Sequence, residues 1–127
     1  MHYEDLIGKP FKYGARGPQE YDCWGLVQEM LRRSGIDPID YGWSEQGAAI
    51  QLLMLEAESQ QCWQKCEMQE GAVLLFRVGR FVSHVGFAIN GTQFIHTWQG
   101  VGGVVVENFY QDWHKRLVGC YKYVEFK

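Results

Sequence analysis

Between residues 22 and 34, apolar side chains recur at Cys23, Leu26, Val27, Met30 and Leu31. This i, i+3, i+4, i+7, i+8 series makes one buried stripe on a helix. Asp22 is a suitable N-cap, Arg32 and Arg33 suit the negative end of the helix dipole, and Gly35 is a stop. A less regular run with Ile50, Leu52, Leu53, Leu55 and Ala57 predicts a second helix around 45–60. From residue 72 onward the pattern changes. Ala72–Phe76, Ser83–Ile89, Thr92–Trp98, Val104–Glu107 and Leu117–Val124 read as strands, most of them separated by Gly, Asn or a charged cluster. Asn108–Lys115 has room for one or two helical turns. Helices first and strands afterwards predict an α+β fold, with N-terminal helices packed on an antiparallel sheet of about five strands. No repeat or linker interrupts the 127 residues, so 1–127 is expected to form one domain.

Composition removes several function classes. Hydrophobic residues make up 46% and charged residues 21%, a globular balance rather than a disordered one. Net charge is −3 and the Lys and Arg residues are scattered. A basic stripe for nucleic acid is absent from the sequence. No apolar run approaches the roughly 20 residues that span a bilayer, so no membrane partner is expected. Met1-His2-Tyr3-Glu4-Asp5 is acidic and does not read as a signal peptide, so synthesis in the cytoplasm with reduced thiols is expected. Cys62 and Cys66 lie one helical turn apart, but no second close Cys/His pair completes a zinc site. No metal or other cofactor is expected.

Cys23 falls in the first turn of the capped helix, where free amide N–H groups and the positive dipole end favour a thiolate. Taken alone, it reads as a small buried hydrophobe. His84 and His96, twelve residues apart around Asn90-Gly91, change that reading. A two-residue Asn-Gly loop would set them on opposite faces of the sheet. A three-residue Ile89-Asn90-Gly91 loop, with Gly91 in the left-handed region, instead sets His84 directly opposite His96. With both rings on the helix side, the three form a relay: nucleophile, base, and a partner for the base's second nitrogen. His2 and His114 read as solvent-facing.

Four blocks resemble the NlpC/P60 peptidases, which have a papain-like fold. They are Phe11-Lys12-Tyr13-Gly14 with Tyr21-Asp22-Cys23-Trp24-Gly25-Leu26-Val27; Gly71-Ala72-Val73-Leu74-Leu75-Phe76; Ser83-His84-Val85-Gly86-Phe87; and Phe94-Ile95-His96-Thr97. The resemblance implies hydrolysis of amide bonds in peptidoglycan stem peptides, with Cys23 as nucleophile, His84 as base and His96 orienting it. The Cys23 backbone N–H would serve the oxyanion, and Tyr13, Asp22, Trp24 and Trp98 would shape the oxyanion hole and groove. Trp24 stands where many members carry Ser, and this Asp-Cys-Trp-Gly form resembles phage tail-associated members. Phe11 stands where many carry a Tyr whose hydroxyl lies near the active site, and Tyr13 is the substitute at hand. Ala72 replaces a common Asp. These features imply tail proteins as partners and delivery to the cell wall in a virion tail or by another route. The rival expectation is a tail docking module that kept the fold and lost the activity.

Overall fold

The computed structural model describes residues 2–37, 63–79 and 81–124. The helix expected around 45–60 lies outside them. Helix α1 spans Cys23–Arg33, with Asp22 as N-cap. Its C-terminal end closes through two hydrogen bonds, Gly35 N to Arg32 O at 3.0 Å and Ile36 N to Leu31 O at 3.0 Å. Gly35 takes the left-handed conformation that this ending requires, at φ +84. Both boundaries follow from residues that suit those caps.

Among the described residues six antiparallel strands follow: β1 (Trp63–Lys65), β2 (Val73–Val78), β3 (Phe81–Ala88), β4 (Gln93–His96), β5 (Val105–Asn108) and β6 (Leu117–Tyr123). They are ordered β1-β6-β2-β3-β4-β5. The expected fold class, helix on antiparallel sheet, is what the chain adopts, with one strand more than expected. The extra one is β1, only three residues long and paired with the end of β6. The turn expected within Asn108–Lys115 is a short 3-10 helix at Trp113–Arg116.

Side-chain alternation gives the sheet two apolar faces. Val73, Leu75, Val85, Phe87 and Ile95 share a buried cluster with the α1 stripe. Leu74, Phe76, Ala88 and Phe94 pack instead with Phe109, Trp113 and Cys120. The N-terminal segment runs beside the chain between β4 and β5, with Gly8 N donating to Val104 O at 2.9 Å and Val104 N to Lys9 O at 3.0 Å.

In the β3–β4 hairpin, Phe87 pairs with Ile95 and Ala88 with Phe94. Ile89 N and Asn90 N both donate to Gln93 O, so the loop tip is Asn90-Gly91-Thr92, one residue later than the expected Ile89-Asn90-Gly91. His84 and His96 keep the same parity and share a face, but they stand diagonally rather than directly opposite. Gly91 is not in the left-handed region. Asn90 shapes the turn instead: its Oδ1 accepts from Thr92 N and Gln93 N, both at 2.8 Å. The shared face also corrects the expectation that the rings lie on the helix side. They stand on the face of Phe76 and Phe94, opposite the α1 stripe.

Candidate active site

The site begins with one buried carboxylate. Asp22 is 1% exposed. Its Oδ1 accepts from Gly25 N at 2.7 Å, capping α1. Its Oδ2 accepts from Arg16 Nη1 at 2.6 Å and Gly14 N at 3.2 Å. The loop before the helix is thereby folded over the helix start. Gly25 is needed there because a Cβ would sit 2.4 Å from Ala15 O. Cys23, 1% exposed, occupies the first position of α1 in this frame.

Further contacts link this end of α1 to the histidines. Tyr13 donates its hydroxyl proton to Gln99 Oε1, and the ring of adjacent Trp98 lies 5.7 Å from that of His84. Tyr13 is exposed, but its hydroxyl is already engaged. Trp98 is half-buried, and its indole nitrogen has no hydrogen-bond partner among the described residues. Trp24 does not line a groove. It is 1% exposed and packs 6.4 Å from the Trp63 ring, because its position in the helix points it into the core. Lys12, Tyr13, Arg16, Gln19 and Glu20 line a cleft of about 310 Å³ on the loop before α1.

The histidines make a buried hydrogen-bonded chain. His84 Nε2 lies 2.8 Å from His96 Nδ1, and His96 Nε2 lies 2.5 Å from Glu107 Oε2. Trp113 Nε1 donates to the same Glu107 oxygen at 3.1 Å. The two imidazoles are 2% and 0% exposed, walled by Phe76, Phe94 and Trp113. Gly86 makes room for them: a Cβ there would meet Phe94 Cδ2 at 2.9 Å and His96 Cβ at 3.4 Å. Glu107 and Trp113 were not singled out from the sequence. The available signal was a glutamate ending an apolar strand run, Val104-Val105-Val106-Glu107.

Burial, reinforced by the neighbouring His96, holds His84 well below the usual imidazole range. Burial also lowers His96, against the opposing pull of Glu107. Both rings are therefore neutral in the fold near pH 7. In the unfolded chain they protonate near pH 6.5. As pH falls through that value, the unfolded state binds protons that the folded state refuses, so stability declines with acidification. The urea midpoint should hold at pH 7–8 and drop between pH 6.5 and 5, with a shallower drop in His84→Gln. An equal acid slope in the two proteins would contradict this.

The NlpC/P60 family profile matches residues 8–122. Among curated relatives, the probable endopeptidase p60 of Listeria grayi is 29% identical over 114 residues, covering 89% of this chain and 20% of the relative. The murein DD-endopeptidase MepS/murein LD-carboxypeptidase of Escherichia coli K12 is 26% identical over 117 residues, covering 90% of this chain and 55% of the relative. This chain thus spans between a fifth and just over half of these relatives' lengths. Among solved structures, NlpC2 of Trichomonas vaginalis superposes with TM-score 0.69 at 21% identity, covering 94% of this chain and 44% of that one. NlpC1 of the same organism gives 0.64 at 23%, with 94% and 41% covered. These two matches establish likeness of fold.

Proposed function

The chain belongs to the NlpC/P60 family, and on that premise we propose that it is a cysteine peptidase cutting amide bonds in peptidoglycan stem peptides. The observation that carries this reading is the buried His84–His96 pair with Glu107 at its outer end, in a fold that also sets Cys23 at a capped helix start. A structural module has no evident need to bury two hydrogen-bonded imidazoles and aim the second at a carboxylate. The MepS relative, named as a murein endopeptidase, supports the substrate class, and the p60 relative, named as a probable endopeptidase, supports the reaction.

In this reaction the Cys23 sulfur attacks the scissile carbonyl, and His84 takes the thiol proton. The tetrahedral oxyanion is met by backbone N–H groups at the start of α1, where the helix dipole is favourable. His84 then protonates the leaving amine, and a thioester to Cys23 remains. Water, deprotonated by His84, attacks the thioester and releases the carboxylate.

We carry delivery by a phage tail as part of the proposal, supported by the Asp22-Cys23-Trp24-Gly25 form. The docking-module alternative is tested by the same assay. Incubation with purified peptidoglycan should release muropeptides with a newly cut stem peptide, identified by mass spectrometry. Sacculi left uncut under conditions where a known endopeptidase digests them would overturn the enzymatic reading.

The thiols offer a second check. Cys120 is pushed up to about 12 by burial and by its contact with Cys66 Sγ at 3.6 Å. Cys23, at the N-terminus of α1, should react with iodoacetamide ahead of both Cys66 and Cys120, and His84→Ala should slow it at least several-fold. Indifference of the Cys23 rate to His84 would separate the thiol from the histidines.

A further inference from the structure

We propose that Glu107 is a positioning residue that fixes the tautomers of both relay histidines, leaving His84 Nδ1 as the lone pair that takes the Cys23 proton. The proposal rests on the cysteine-peptidase reading above, and it follows from counting protons along the chain of contacts.

Glu107 Oε2 sets the direction of every bond in the chain. A carboxylate accepts and does not donate, and an indole N–H donates and does not accept. Trp113 Nε1 at 3.1 Å therefore fixes this oxygen as an acceptor from one side. His96 Nε2 at 2.5 Å must then carry a proton. A neutral imidazole holds one N–H, so His96 Nδ1 bears a lone pair. That nitrogen lies 2.8 Å from His84 Nε2, which must be the donor. The proton of neutral His84 is thus on Nε2, and Nδ1 is open. Burial keeps both rings in the neutral form that this count requires.

Run in the other direction, the same distances give a dead site. With the proton on His96 Nδ1, His84 Nε2 becomes the acceptor, and His84 Nδ1 carries a hydrogen and cannot act as a base. Distances between heavy atoms do not distinguish the two directions. Glu107 does, because its charge accepts in one sense only. When the S–H bond of Cys23 breaks and the N–H bond forms at His84 Nδ1, the new imidazolium is stabilised through His96 by the same carboxylate. No other group is consumed. Trp113 keeps the carboxylate in place and is itself held under the Arg116 guanidinium, 4.7 Å above its ring.

The test reads tautomers directly. Long-range 1H–15N correlation spectra of the wild-type protein at pH 7.5 should show both His84 and His96 protonated on Nε2. Glu107→Gln presents an amide that can donate as well as accept, so His96 should shift partly or wholly to the Nδ1–H form. Its kcat on peptidoglycan fragments should fall roughly 10- to 100-fold with KM nearly unchanged. Glu107→Asp, which keeps the charge, should retain the wild-type tautomers and recover part of kcat. A wild-type spectrum with either ring protonated on Nδ1 overturns the assignment even if no variant folds. So does Glu107→Gln with unchanged tautomers and full kcat. Wild-type tautomers as assigned, with no cleavage of any fragment, would instead remove the peptidase reading and leave the role of Glu107 in the relay standing.

Discussion

Cys23→Ala is expected to stay folded and to lose peptidoglycan cleavage by about 10⁴-fold or more, as removal of a covalent nucleophile does. The structural cost is small because only a sulfur is removed from a site that the surrounding cluster already encloses. About 1 kcal/mol should be lost, visible as a small shift in the urea midpoint. The Asp22 cap does not involve the Cys23 side chain, so α1 keeps its start. Cleavage at the wild-type rate in this variant would end the mechanism. A variant that fails to fold would show that the thiol matters first for packing.

Asp22→Ala should have the largest effect on stability of any single change near the site. It removes the N-cap bond to Gly25, an acceptor for Gly14 N, and the charge facing Arg16 Nη1, whose side chain is 26% exposed. Loss of the cap costs about 1–2 kcal/mol. Weakening the largely buried ion pair adds a comparable amount, for about 3 kcal/mol together. In a domain of this size that corresponds to roughly 10–15 °C in Tm. Asp22→Asn separates the two parts, since asparagine caps helices nearly as well but brings no charge. It should lose about half as much. Thermal unfolding of the two variants side by side measures this. An Ala variant within about 0.5 kcal/mol of wild type would mean that the loop before α1 is held by something else.

The helix was readable to the residue because its signals are local: an apolar stripe, an aspartate at one end, a glycine at the other. The sheet was readable in outline. β1 escaped notice because Trp63-Gln64-Lys65 is too short to show alternation, and only its pairing with Tyr121–Tyr123 makes it a strand. The shared face of His84 and His96 followed from parity, but the loop did not, because a side-chain acceptor on Asn90 does the work assigned to a glycine conformation. Which face the histidines occupy was out of reach. Both faces of this sheet are apolar, so alternation groups Leu74 with Phe76 and Val73 with Leu75 without saying which group meets the helix. Glu107 was hidden for a related reason. Its meeting with His96 depends on the β4–β5 register, which sets Ile95 against Val106 across an intervening glycine-rich stretch.

His84, His96, Glu107 and Trp113 all belong to one continuous meander, each hydrogen-bonded to a partner no more than twelve residues away. Cys23 comes from far upstream. Contacts of short sequence separation close first, at little cost in chain entropy, and distant ones later. The base and its carboxylate can therefore assemble while the nucleophile is still undocked. Cleavage should be among the last native properties to return during refolding, after the fluorescence of Trp113 has reached its final value.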